Sequence, residues 1–90
     1  MTEEIMIFRN EDISGLVTEI PEGHQHLRTT IVLTDGRKIT FQEATVAAIV
    51  RSYIDVKTHP LSSRAVLAAE KLDNRKAGYA EWQLLETEEI

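Results

Sequence analysis

The sequence predicts an α+β fold, an N-terminal antiparallel β-meander of three or four strands packed by an amphipathic helix at about 42–56. Two observations carry that expectation. A β-branched run, Thr29-Thr30-Ile31-Val32, leads into Asp35-Gly36 and a second short alternating stretch, the pattern of a hairpin. From Gln42 the apolar period then changes from two to that of a helix.

The first strands follow from alternation and turn chemistry. Ile5 to Phe8 is a short apolar run, the candidate fourth strand, ended by the polar cluster Arg9-Asn10-Glu11-Asp12. Ile13 to Ile20 alternates and predicts a strand. Pro21-Glu22-Gly23 predicts a turn, with Pro at its second position and Gly tolerating positive φ. Leu27 to Leu33 predicts the next strand, and Lys38 to Phe41 its hairpin partner.

The hairpin register can be read by matching faces. A two-residue loop would leave Ile31 and Leu33 opposite Thr40 and Lys38. A three-residue loop with Gly36 as a bulge pairs Ile31 with Ile39 and gathers Leu27, Ile31, Leu33, Ile39 and Phe41 on one face. A slip of one residue would turn that apolar set outward, so the second register is expected. Val17 and Val32 then fall on the outer face of the sheet.

In the helix, Val46, Ile49, Val50, Tyr53, Ile54 and Val56 share one half of the cylinder, and Thr45, Arg51, Ser52 and Asp55 the other. Glu43 and Lys57 suit the two ends of the helix dipole, and Pro60 forces a stop. Leu61, Ala65, Ala68 and Leu72 repeat at helical spacing, which predicts a second helix at about 62–75. The alternative for that segment is a strand of a C-terminal hairpin. A last strand is expected at about 79–85, where Ala80, Trp82 and Leu84 alternate with Glu81 and Gln83. Residues 86–90 should fray.

Composition bounds the function. Ninety residues, 42% of them hydrophobic and 28% charged, suit a single domain over 1–90. The chain has no Cys, hence no disulfide, thiolate ligand or cysteine nucleophile. An acidic N-terminus and short apolar runs predict neither a secretory leader nor a membrane span, so a cytoplasmic location is expected. No cofactor motif, small-molecule site or catalytic constellation stands out, and the expectation is a non-enzyme.

The net charge of −5 is unevenly spread. Residues 51–76 carry Arg51, Lys57, Arg64, Lys71, Arg75 and Lys76 against Asp55, Glu70 and Asp73, whereas both flanks are acidic. On a second helix, Arg64, Lys71 and Arg75 would make a basic stripe, with Lys76 beside it, and that stripe on the 57–76 segment is a candidate for nucleic-acid or anion binding. His24 and His26, alternating near a turn, could share a metal with His59, although the spacing is not that of a metal motif and no metal is expected. Val17, Val32, Tyr79 and Trp82 are the candidate interface residues. The reading that follows is a small non-catalytic binding or regulatory domain acting through protein–protein contact or self-association, with the basic stripe as the alternative.

Overall fold

The structure is a computed structural model that describes residues 4–61, 63–72 and 82–88. Its elements are those of an α+β chain: strands β1 (Ile13–Glu19), β2 (Arg28–Leu33) and β3 (Lys38–Gln42), helix α1 (Glu43–Thr58), then strands β4 (Leu67–Lys71) and β5 (Trp82–Glu86). Contacts group them into two units, Met1–Gln42 and Glu43–Ile90.

The first unit is the expected meander, with strand order β1-β2-β3 and antiparallel pairing throughout. Ile5 to Phe8 forms no strand, so the sheet has three strands and not four; Ile5 and Ile7 are among the most exposed apolar residues of the chain. The polar cluster after them folds into a 3-10 turn, Asn10–Asp12, closed by the Arg9 backbone N–H donating to the Asp12 carboxylate at 2.9 Å. A bulge between Ile13 and Gly15 starts β1. The Ser14 hydroxyl there donates to the Val32 carbonyl at 3.2 Å.

The second hairpin has the register that face matching predicts, Ile31 opposite Ile39 and Thr29 opposite Phe41. The Gly36 N–H donates to the Leu33 carbonyl at 3.0 Å, and the Leu33 N–H to the Arg37 carbonyl at 2.8 Å. Gly36 has φ +94, the bulge conformation that a side chain rarely adopts. Leu33 and Thr29 are buried on the face that also carries Ile31, Ile39 and Phe41. In the turn between β1 and β2 the His24 N–H donates to the Pro21 carbonyl at 3.0 Å, which makes Pro21 the first turn residue and not the second. Gly23 supplies the positive φ of +82.

The second unit corrects the C-terminal half of the prediction. Residues 67–71 form β4, not part of a helix over 62–75, and β4 pairs antiparallel with β5, Ala69 opposite Leu84 and Lys71 opposite Trp82. The chain takes the hairpin alternative because a short apolar run has no decisive period, and a strand partner outweighs the helix propensity of alanine. Residues 73–75 of the expected helix and 79–81 of the expected last strand lie outside the described residues. The last strand ends at Glu86, and the Thr87 N–H still donates to the Val66 carbonyl at 2.9 Å. Of the residues expected to fray, 89 and 90 lie outside the description.

Helix α1 begins and ends within two residues of its expected bounds. Its partner within the unit is β5: the Arg51 guanidinium donates to the Leu84 carbonyl at 3.0 Å.

Candidate functional site

Much of the apolar side of the helix is exposed, although Val46 and Val56 are half-buried. Ile49 is 52% exposed, Val50 50%, Tyr53 64% and Ile54 50%, and Ala47 is exposed with them. The most covered line is small and polar: Ala48 is buried and Thr45, Ser52 and Asp55 are half-buried, as are Glu43, Val46 and Val56. Spacings of three, four and three along the chain put Thr45, Ala48, Ser52 and Asp55 on one stripe. An apolar half-cylinder predicts the opposite arrangement.

The polar side can be covered because its polar groups are provided for. The Ser52 hydroxyl donates back to the Ile49 carbonyl at 2.8 Å, so it needs no outside partner. Arg51 is bonded to β5, as above. Among the described residues, no buried side-chain nitrogen or oxygen lacks a partner. What remains uncovered is a row of large aliphatic and aromatic side chains on a rigid helix, and such a patch marks a binding surface more often than a solvated one.

A shallow cleft of about 560 Å³ lies where α1 ends and the β4–β5 hairpin closes. Asp55, His59, Arg64, Glu86 and Glu88 line it. His59 accepts the Leu61 N–H on Nδ1 at 3.3 Å. Three carboxylates in the same cleft as Arg64 make its potential unfavourable to a phosphate.

The remaining sequence candidates are scattered. Arg64 precedes β4 and Lys71 ends it, so a strand of about 3.3 Å per residue separates them and the helical stripe is not formed. Arg75, Lys76 and Tyr79 lie outside the described residues. His24 and His26 are exposed in the connection between β1 and β2, outside the strands that would align them, and His59 follows α1. Among the described residues, no group of three His, Cys, Asp or Glu side chains gathers to hold a metal ion. Val17 and Val32 do share a face of the sheet, with Val17 50% exposed and Val32 half-buried, among Thr30, Lys38 and Thr40. Trp82 is 57% exposed, at the start of β5.

Sequence reasoning found the α1 residues but assigned them to the core. A signal for exposure is Lys57 at the end of the same stripe, a charge that a core-facing stripe avoids. No described helix is long and apolar enough to cross a membrane. No family model, curated protein or solved structure matches the chain.

Proposed function

We propose that this chain is a small, non-catalytic interaction module that binds another polypeptide through the apolar face of α1. The observation that supports this reading is the half or greater exposure of Ile49, Val50, Tyr53 and Ile54 on one side of the helix. Apolar side chains laid along a helix at spacings of three and four are the form in which a helix docks on a partner's apolar surface. Val17 and Val32 offer a second, more polar surface and are secondary in this reading. The basic-stripe alternative has less support, because its helix is absent over 67–71 and Arg64 stands among carboxylates.

The test is stability. If the face serves a partner, Val50→Asp and Tyr53→Ser in dilute protein should shift the unfolding free energy by no more than about 0.5 kcal/mol, as surface substitutions do. A loss above about 2 kcal/mol in either variant would place these side chains in the chain's own core, where a polar or truncated residue is costly. That result would end the proposal.

A further inference from the structure

Asp35-Gly36 is the single Asp-Gly pair of the sequence, and it stands in the turn between β2 and β3. The turn needs glycine there, because Gly36 has φ +94 and side chains avoid that conformation. That requirement has a chemical consequence. A glycine amide nitrogen has no Cβ beside it to shield it, and next to an aspartate it can attack the side-chain Cγ. The N–Cγ bond forms, a Cγ–O bond breaks, and the amide hydrogen leaves with the hydroxyl as water. The product is a five-membered succinimide. Water then reopens the ring at either carbonyl. Cleavage at Cγ restores aspartate, whereas cleavage at the α-carbonyl leaves the chain running through Cγ, an isoaspartate with one more main-chain carbon. Water is the only co-reactant.

The folded turn restrains both reacting groups. The Asp35 carboxylate accepts the Arg37 backbone N–H at 3.0 Å and the Arg37 Nε–H at 2.7 Å. Those bonds tie the carboxylate to Arg37 and favour its ionised form, whereas the attack requires the neutral acid, whose hydroxyl can leave. The Gly36 N–H donates to the Leu33 carbonyl at 3.0 Å, which fixes the plane of the attacking amide. Neither water nor room is limiting. The Asp35 side chain is 53% exposed, and a Cβ added at Gly36 would meet nothing within 4 Å. Conformation is what controls the reaction.

We infer that the Asp35–Gly36 linkage is a site of spontaneous isoaspartate formation latched by its own turn: it reacts when the bonds to Arg37 and Leu33 open, and its product cannot close them again. The added carbon displaces Gly36 and Arg37 from Leu33. The Leu33 N–H bond to the Arg37 carbonyl, 2.8 Å long, begins the ladder that pairs Ile31 with Ile39. A displaced register carries the apolar set of both strands out of place. Isomerisation thus makes a passing opening of the turn permanent. It concerns the first unit alone and is independent of the reading of α1.

The test incubates the full chain at neutral pH, folded or in urea. Isoaspartate at residue 35 is counted by fragmenting the peptide that carries it, since isomerisation leaves the mass unchanged. The folded chain should react about tenfold more slowly, or slower still, because the open turn is a minor population. Arg37→Ala removes the guanidinium and keeps the backbone bond. It should accelerate the folded reaction about threefold to tenfold, the factor that one hydrogen bond is worth, and leave the reaction in urea as it is. Asp35→Asn forms the same imide with loss of ammonia and needs no protonated carboxyl, so it reads the hold on the amide by itself. It too should react faster in urea than folded. The isoaspartyl form, separated by chromatography, should exchange its β2 and β3 amides about tenfold faster than the parent.

Equal rates in the folded and denatured chain overturn the latch. Acceleration by Arg37→Ala that is the same with and without urea overturns the part given to the guanidinium. If that variant is unfolded by circular dichroism, Asp35→Asn carries the test, and equal rates for it in both conditions overturn the hold on Gly36. Parental exchange in the isoaspartyl form overturns the lasting loss of the hairpin.

Discussion

The guanidinium of Arg51 donates to the backbone carbonyl of Leu84 at 3.0 Å, a hydrogen bond that ties α1 to β5. It is charge-assisted and leaves from the side of the helix opposite Tyr53. One contact therefore both secures the helix and helps decide which of its sides is left open. Arg51→Ala should destabilise the second unit by about 0.5–1.5 kcal/mol, the usual net worth of such a bond. Hydrogen exchange should show it locally, with amides of β4 and β5 opening severalfold faster and those of β1 to β3 unchanged. Uniform acceleration in both units would contradict this assignment.

How far the sequence disclosed these arrangements depends on the kind of information each one needs. The hairpin at Asp35-Gly36 is local: the alternation of Ile31, Leu33, Ile39 and Phe41 admits one register that keeps them together, and Gly36 supplies the positive φ that register demands. Strand β4 is not local. Leu67-Ala68-Ala69 suits either a helix or a strand, and the decision comes from pairing with β5, a distant segment. The orientation of α1 is least legible. Periodicity reports which side of a helix is apolar but not which side is covered, and the latter turns on bonds such as Ser52 to Ile49 and Arg51 to Leu84.

Two glycines of the meander, Gly36 and Gly15, should respond in opposite directions to the same change. At Gly36 an added Cβ meets nothing within 4 Å, so space is no obstacle, but φ is +94. Gly36→Ala should therefore lose about 1 kcal/mol from backbone strain alone. Gly15 also has open space for a Cβ, and its φ is not positive. Gly15→Ala should leave stability unchanged or raise it by up to about 1 kcal/mol, through a less flexible unfolded chain. Urea midpoints of the two variants test the contrast, and a shared direction would refute the role given to Gly36.

A similar asymmetry is expected at the threonine pair of β1 and β2. The hydroxyls of Thr18 and Thr29 are 2.9 Å apart; Thr29 is buried at 8% exposure, while Thr18 is exposed. Removing the outer partner with Thr18→Val strands the buried hydroxyl and should cost about 1–2 kcal/mol. Thr29→Val puts a methyl in the buried position and leaves the Thr18 hydroxyl free to bond water, so it should be close to neutral. The double variant should resemble Thr29→Val. Thermal unfolding of the three proteins decides the matter, and a larger loss for Thr29→Val than for Thr18→Val would show that the pair is satisfied from the other side.

Acid should loosen the β2–β3 turn through Asp35. Its carboxylate accepts the Arg37 backbone N–H at 3.0 Å and the Arg37 side-chain Nε–H at 2.7 Å. The backbone bond foremost, and then the guanidinium, hold its pKa below the ordinary value of 3.8. A depressed folded pKa means that the unfolded chain takes up the proton first. The contribution is therefore complete above the ordinary value, is lost as pH falls through it toward the lowered folded value, and is absent below both. Asp35→Asn keeps an oxygen for the backbone N–H but no charge to titrate. Its stability difference from wild type should be constant from neutral pH down to about pH 5 and should shrink below the ordinary aspartate value. Because the site is open to solvent, added salt should weaken the guanidinium part of the effect and leave the backbone bond in place. A difference that grows as the solution is acidified would mean that the carboxylate is not what steadies this turn.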